Sequence, residues 1–113
     1  MRKITLFFAA LFITIAAFAA DITGGTKLYL KPGSAWTQGN ERFAAYFFGS
    51  AGNAWAGMTV EEDGSSYLAE APNGTWTNVI FCRMNGANAT NDWGAKWDQT
   101  ADLTYDGTNN CYS

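Results

Sequence analysis

Histidine is absent from this chain of 113 residues, and cysteine and proline occur only twice each. Without histidine the usual general base and the commonest metal ligand are missing, which excludes most hydrolase triads and zinc sites. Charge is sparse, at 15 % of residues, and positive charge is the sparser sign, with seven Lys and Arg against ten Asp and Glu. A net charge of −3 excludes a sequence-independent nucleic-acid binder, which needs a basic face. Apolar residues are plentiful at 48 % and aromatics at 16 %, a composition that packs rather than stays disordered. The length allows one small domain.

Residues 1–20, MRKITLFFAALFITIAAFAA, read as a secretory signal peptide. Arg2 and Lys3 form a basic start, Ile4 to Ala16 an apolar run, and Ala17-Phe18-Ala19 places small residues where a signal peptidase reads them. The alternative is a membrane anchor, but the run is near the lower limit for a span and the cleavage pattern follows it directly. The expectation is export to a periplasm, a cell surface or the medium, with no membrane span after cleavage. Residues 21–113 then form the domain, with Lys27, Lys31, Arg42, Arg83 and Lys96 set against all ten acids. All five Trp and all five Tyr stay in this part, more indole than so small a core easily buries.

Export also permits a disulfide. Cys82 and Cys111 are the candidate pair. The bridge would enclose about thirty residues and add about 3 kcal/mol; two buried free thiols are the alternative. Neither reading makes them catalytic, because no basic cluster adjoins them to lower a thiol pKa.

The mature segment alternates short apolar strands with turn signals and shows no helical period. Lys27 to Lys31 alternates and stops at Pro32-Gly33. In Arg42 to Phe48, period two places Phe43, Ala45 and Phe47 on one face and Ala44, Tyr46 and Phe48 on the other. Gly49 to Asn53 reads as a loop, Trp55 to Val60 as one short strand, and Glu61 to Gly64 as an acidic turn. Ser66 to Ala71 is a further strand, ended by Pro72-Asn73-Gly74. Thr77 to Met84 is the most apolar run and reads as a central strand. Asn85 to Gln99 is polar and rich in Gly and Asn, Asp102 to Asp106 is a short strand, and Cys111-Tyr112-Ser113 begins one more. Six or seven strands at this spacing predict an all-β fold, an antiparallel β-sandwich. The chain stops where a closing strand is expected, so either the last strand is very short or the chain is truncated.

Chemistry is hard to find among the acids. A glycosidase needs two carboxylates facing across a cleft, and most of these acids fall in turns or at strand ends, so no catalytic role is expected. Asp92, Asp98 and Asp102 offer hard oxygen ligands, but their spacing matches no calcium-loop motif; no metal and no cofactor are expected. The aromatics are more informative. A sugar ring presents flat patches of C–H with hydroxyls around the rim, and an aromatic ring offers a matching plate whose negative face attracts those C–H edges. Amides and Lys at the margin then bond the hydroxyls. The segment Asn91-Asp92-Trp93-Gly94-Ala95-Lys96-Trp97-Asp98-Gln99-Thr100 has that composition, and so does Trp36 with Gln38 and Asn40.

Several stretches together resemble a known family. Phe43-Ala44-Ala45-Tyr46-Phe47-Phe48 is followed by Ala54-Trp55-Ala56-Gly57-Met58, then Tyr67, then Asn78-Val79-Ile80-Phe81-Cys82-Arg83-Met84-Asn85, then Lys96-Trp97-Asp98-Gln99-Thr100-Ala101-Asp102-Leu103. Their order is similar to that of starch-binding carbohydrate-binding modules of families 25 and 26, the family 26 type most of all, as found in secreted bacterial proteins. The resemblance implies an immunoglobulin-like sandwich that binds α-glucan polysaccharide or oligosaccharide without catalysis, in association with a glycoside hydrolase. It places the stacking platform on Tyr46, Phe48 and Trp55 and an amide contact on Gln99. Phe48 stands where the family has a second Tyr, Trp55-Ala56-Gly57 where it has Trp-Pro-Gly, and the Asn85 to Trp97 segment is longer and richer in Trp. The expected site is therefore Tyr46, Phe48, Trp55, Trp97, Gln99, Lys96 and Trp36, with Trp93 the alternative to Trp97 as the indole that takes over part of the platform. The rival expectation is a structural or adhesion sandwich that adds a partner strand at an open edge.

Overall fold

The computed structural model describes residues 19–113. The signal peptide read in residues 1–20 lies outside the described residues except for its last two positions. Ten strands follow: β1 (Ile22–Thr23), β2 (Lys27–Leu30), β3 (Glu41–Gly49), β4 (Gly52–Gly57), β5 (Thr59–Val60), β6 (Tyr67–Glu70), β7 (Thr75–Trp76), β8 (Asn78–Asn85), β9 (Lys96–Gln99) and β10 (Cys111–Tyr112). Single 3-10 turns occupy Ser34–Trp36 and Trp93–Ala95. Two four-stranded sheets, ordered β10-β2-β6-β5 and β4-β3-β8-β9, pack face to face, and β1 and β7 form a separate ribbon. The fold is an all-β sandwich.

The alternation along β3 decides both layers of packing. Phe43, Ala45 and Phe47 point into the space between the sheets, where they meet Leu28, Leu30, Ala69, Val79 and Phe81. Each large apolar side chain buried there contributes about 1.5–3 kcal/mol. Ile22 and Trp76 of the ribbon join the same core, and the Trp76 indole N–H donates to Pro72 O at 3.0 Å. Gly74 makes this packing possible. It sits at φ +140, and a Cβ there would lie 2.7 Å from Cζ2 of Trp76, so both its backbone and the indole exclude a side chain.

The opposite face of β3 is also covered. Ala44 packs with Ile80, Cys82 and Met84 of β8 and with Ala95, flanked by Tyr46, Phe48 and Trp55. Strand β8 is therefore buried on both faces, as its unbroken apolar run requires, and it lies inside its sheet between β3 and β9.

Three connections differ from the sequence reading. The stretch from Trp55 to Val60 is two strands in two sheets, because Met58 turns into the main core and its N–H donates to Phe43 O at 3.0 Å. Asp102 to Asp106 is not a strand but carries two isolated bridges, Leu103 with Val79 and Tyr105 with Ala20. Cys111–Tyr112 does form a strand, yet it pairs with β2 in parallel, the exception in an otherwise antiparallel pairing scheme.

Candidate binding face

The outer face of the β4-β3-β8-β9 sheet carries a packed group of aromatic rings. Register builds it: Tyr46 of β3 is directly opposite Trp55 of β4 and Ile80 of β8. Phe48, two residues along β3, points the same way. The Tyr46 ring lies 5.5 Å from Phe48 at 28° and 5.0 Å from Trp55 at 56°. Pairs of this kind contribute about 0.5–1.5 kcal/mol each beyond burial.

A fourth ring comes from the loop between β8 and β9. Trp93 meets Tyr46 at 4.7 Å and Trp55 at 4.8 Å, nearly edge-on to both at 63° and 64°. The loop returns to the sheet because several residues hold it there. Arg42, on the same face of β3, donates from Nε to Asn88 O at 2.8 Å, from Nη1 to Asn91 Oδ1 at 2.6 Å and from Nη2 to Thr90 O at 2.7 Å. Hydrogen bonds from a charged donor are among the stronger ones. Asp92 Oδ1 then accepts from the Ala95 N–H at 3.0 Å and closes the 3-10 turn, which seats Ala95 on Cys82 and Met84. At the start of the loop the Gly86 N–H donates to Asn40 O at 2.8 Å. A Cβ on Gly86 would overlap that same carbonyl, so the loop can leave β8 this closely only from glycine.

The result is a mostly covered aromatic group with one ring well exposed. Tyr46, Phe48 and Trp55 are half-buried, and Trp93 is 42 % exposed. Polar groups line its margin. Lys96 Nζ stands 5.4 Å from the Trp93 ring centroid and donates to Gln99 Oε1 at 2.5 Å. Asn53 and Asn78 are the two residues opposite Phe48 in register.

The other expected positions fall elsewhere. Trp97 is 44 % exposed, yet its neighbour is Arg83, whose Cζ lies 4.9 Å from the ring centroid, and not the Tyr46 group. Trp36 stacks on Phe43 of the main core at 6.2 Å and 14° and lines a mainly apolar cleft of about 320 Å³ with Leu30, Leu103 and Tyr112. Of the expected residues, the structure thus brings together Tyr46, Phe48 and Trp55, with Lys96 and Gln99 at the rim. Trp93, the alternative to Trp97, is the fourth ring, and the structure adds Arg42 as the anchor of the loop that carries it. Composition had pointed to the Asn91–Thr100 segment but not to which indole faces the sheet. Trp93 and Trp97 share a face only if the chain runs straight between them, and the 3-10 turn and a β-bulge opposite Arg83 and Met84 break that parity.

The disulfide reading of Cys82 and Cys111 is corrected: both thiols are free. Cys82 points to the outer face of one sheet. Cys111 lies on the other sheet opposite Tyr29 and is exposed, while its neighbour Tyr112 turns inward onto Phe81. The two side chains therefore lie on different sheets and point to opposite outer faces, an orientation that a bridge does not tolerate. Burial pushes the Cys82 thiol up to about 11.

A second depression, about 640 Å³ and wide open, lies over the other sheet and is lined by Tyr29, Glu61, Glu62, Asp63 and Cys111 among others. Its acids shape the turn: the Ser66 hydroxyl and the N–H groups of Ser65 and Ser66 donate to Asp63 and hold its carboxyl at about 2, well below the usual range. Among the described residues no group of three or more His, Cys, Asp or Glu is arranged to hold a metal ion, and no helix is long and apolar enough to cross a membrane. Compared with known proteins, the chain matches no family model, no curated protein and no solved structure.

Proposed function

We propose that this protein is an exported, non-catalytic carbohydrate-binding module that takes α-glucan chains on the outer face of the β4-β3-β8-β9 sheet. The observation that carries the reading is the Tyr46–Phe48–Trp55–Trp93 group, which sits on a sheet face with Trp93 left 42 % exposed. The C–H face of a pyranose stacks on such rings, and Lys96, Gln99, Asn53 and Asn78 offer hydrogen bonds to hydroxyls at the edge. Tyr46 and Trp55 support the plate and Trp93 is its contact ring. The preference for α-glucan rests on the resemblance of the motif order to that of family 25 and 26 modules. A shallow face buries little ligand, so dissociation constants of about millimolar to micromolar are expected.

The test is native electrophoresis through gels containing soluble starch, cellulose derivative or xylan. Starch should retard the protein, and Trp93→Ala should remove the shift while the variant stays folded, its urea midpoint lowered only by the loss of the contacts to Tyr46 and Trp55. Equal mobility in all gels overturns carbohydrate recognition, and retardation by xylan or cellulose alone overturns the α-glucan assignment.

A further inference from the structure

Trp97 has no place in the aromatic group, and its surroundings give it a separate use. Met84 pairs with Lys96 and Arg83 pairs with Asp98, so Trp97 is the extra residue of a β-bulge in β9. Lys96 points to the Trp93 side. The bulge sends both Trp97 and Asp98 to the side of Arg83, where Asp98 Oδ2 lies 3.2 Å from Nη1 and the guanidinium Cζ lies 4.9 Å from the indole centroid.

Arg83 is a firm backing. Its Nε donates to Trp36 O at 3.2 Å, and its Nη2 lies 3.4 Å from Glu41 Oε1, which in turn accepts from the Gly39 N–H at 2.8 Å. The guanidinium is thus fixed from three directions and holds the indole by a cation–π contact. A ring held this way does not have to be ordered when a ligand arrives, which removes part of the cost of binding. Its charge is answered by Glu41 and Asp98, so no free cation is offered to an anionic ligand. A pinned, 44 % exposed indole whose backing cation is already paired fits the apolar face of a neutral sugar ring.

We infer that Trp97 is a second sugar plate, independent of the Trp93 face, so that one domain holds two segments of glycan on opposite sides of β9. This rests on the α-glucan reading above. Two plates, one on the 3-10 turn that leads into β9 and one on β9 itself, make binding to a long chain bivalent. Affinity for polysaccharide then exceeds affinity for an oligosaccharide that reaches only one plate.

The experiment labels the protein with 5-fluorotryptophan, assigns the five indole signals with single Trp→Phe variants, and titrates maltoheptaose. The expected result is movement of both the Trp93 and Trp97 signals, each with its own midpoint. In Trp97→Ala the Trp93 midpoint should stay within about 2-fold while apparent affinity for soluble starch falls about 10-fold. A stationary Trp97 signal beside a moving Trp93 signal overturns the second plate and leaves the first intact. If neither moves, the α-glucan reading fails and the second plate with it. Unchanged starch affinity in Trp97→Ala also overturns the inference, provided its urea midpoint matches the parent.

Discussion

The two outer faces of the sandwich were built by opposite means. On the β4-β3-β8-β9 sheet the outward residues Ala44, Ile80, Cys82 and Met84 are as buried as those between the sheets, because Ala95 and the loop carrying Trp93 fold back over them. Among the described residues the β10-β2-β6-β5 sheet carries no such cover: Lys27, Thr59, Glu70 and Cys111 are exposed, and an acidic turn borders an open depression. The difference shows what an extra apolar face demands. A sheet with hydrophobic residues on both sides needs a second lid, and here the lid is a polar loop fastened by Arg42. In the proposed carbohydrate-binding reading the rings that close its rim are also the contact surface, so on this face stability and recognition would share the same residues.

Truncations should break this comparison most visibly. Met84→Ala, on the covered face, should cost about 2–5 kcal/mol in urea unfolding, whereas Thr59→Ala, exposed on the outer face of the other sheet, should stay within about 0.5 kcal/mol. Equal losses would mean that the outer face is not a true second core. Arg42→Ala should come next, at about 1–3 kcal/mol for the lost loop contacts. It should also abolish the coupled circular-dichroism signal expected from indoles 4.8 Å apart at 64°, and it should weaken starch binding together with that signal. Retention of the signal would show that the loop holds Trp93 without its anchor.

The smallest effects concern the thiols. Cys111 should react at once with a thiol reagent in the native protein, and Cys82 only on unfolding. The Cys82 thiol is raised from 9.0 to about 11 by burial, so the folded state holds its proton more tightly than the unfolded state. That contribution to stability is complete below about pH 9 and is lost as the pH climbs through about 11. Urea midpoints measured across that window should fall, and Cys82→Ala should flatten the decline. A flat profile in the parent protein would place Cys82 in contact with water.

Much of the candidate face was legible along β3 because a strand's period is strictly two. Once Phe43 and Phe47 face inward, Tyr46 and Phe48 must face outward, and the structure keeps that division. Trp55 was expected beside them only from the family resemblance; the structure sets it opposite Tyr46 because the stretch read as a loop from Gly49 to Asn53 is a tight hairpin closed by the pairing of Gly49 with Gly52. The parity of Trp93 and Trp97 was not legible, since a 3-10 turn and a bulge intervene and neither has a firm pattern in residue types. Arg42 gave no sign either: an arginine at a strand end looks solvated until the loop that receives its three hydrogen bonds is in place.

Local order along the chain, then, was enough to establish an all-β domain, its main strands, the inward set of β3 and the burial of β8 on both sides, because these depend on alternation and turn residues within a few positions. Tertiary structure alone decided that Met58 carries the chain from one sheet to the other, that β10 runs parallel to β2, that Cys82 and Cys111 face apart, and that Trp93 rather than Trp97 completes the aromatic group. Those outcomes depend on which distant backbone groups and apolar surfaces meet, and that is settled only when the whole domain closes on its core.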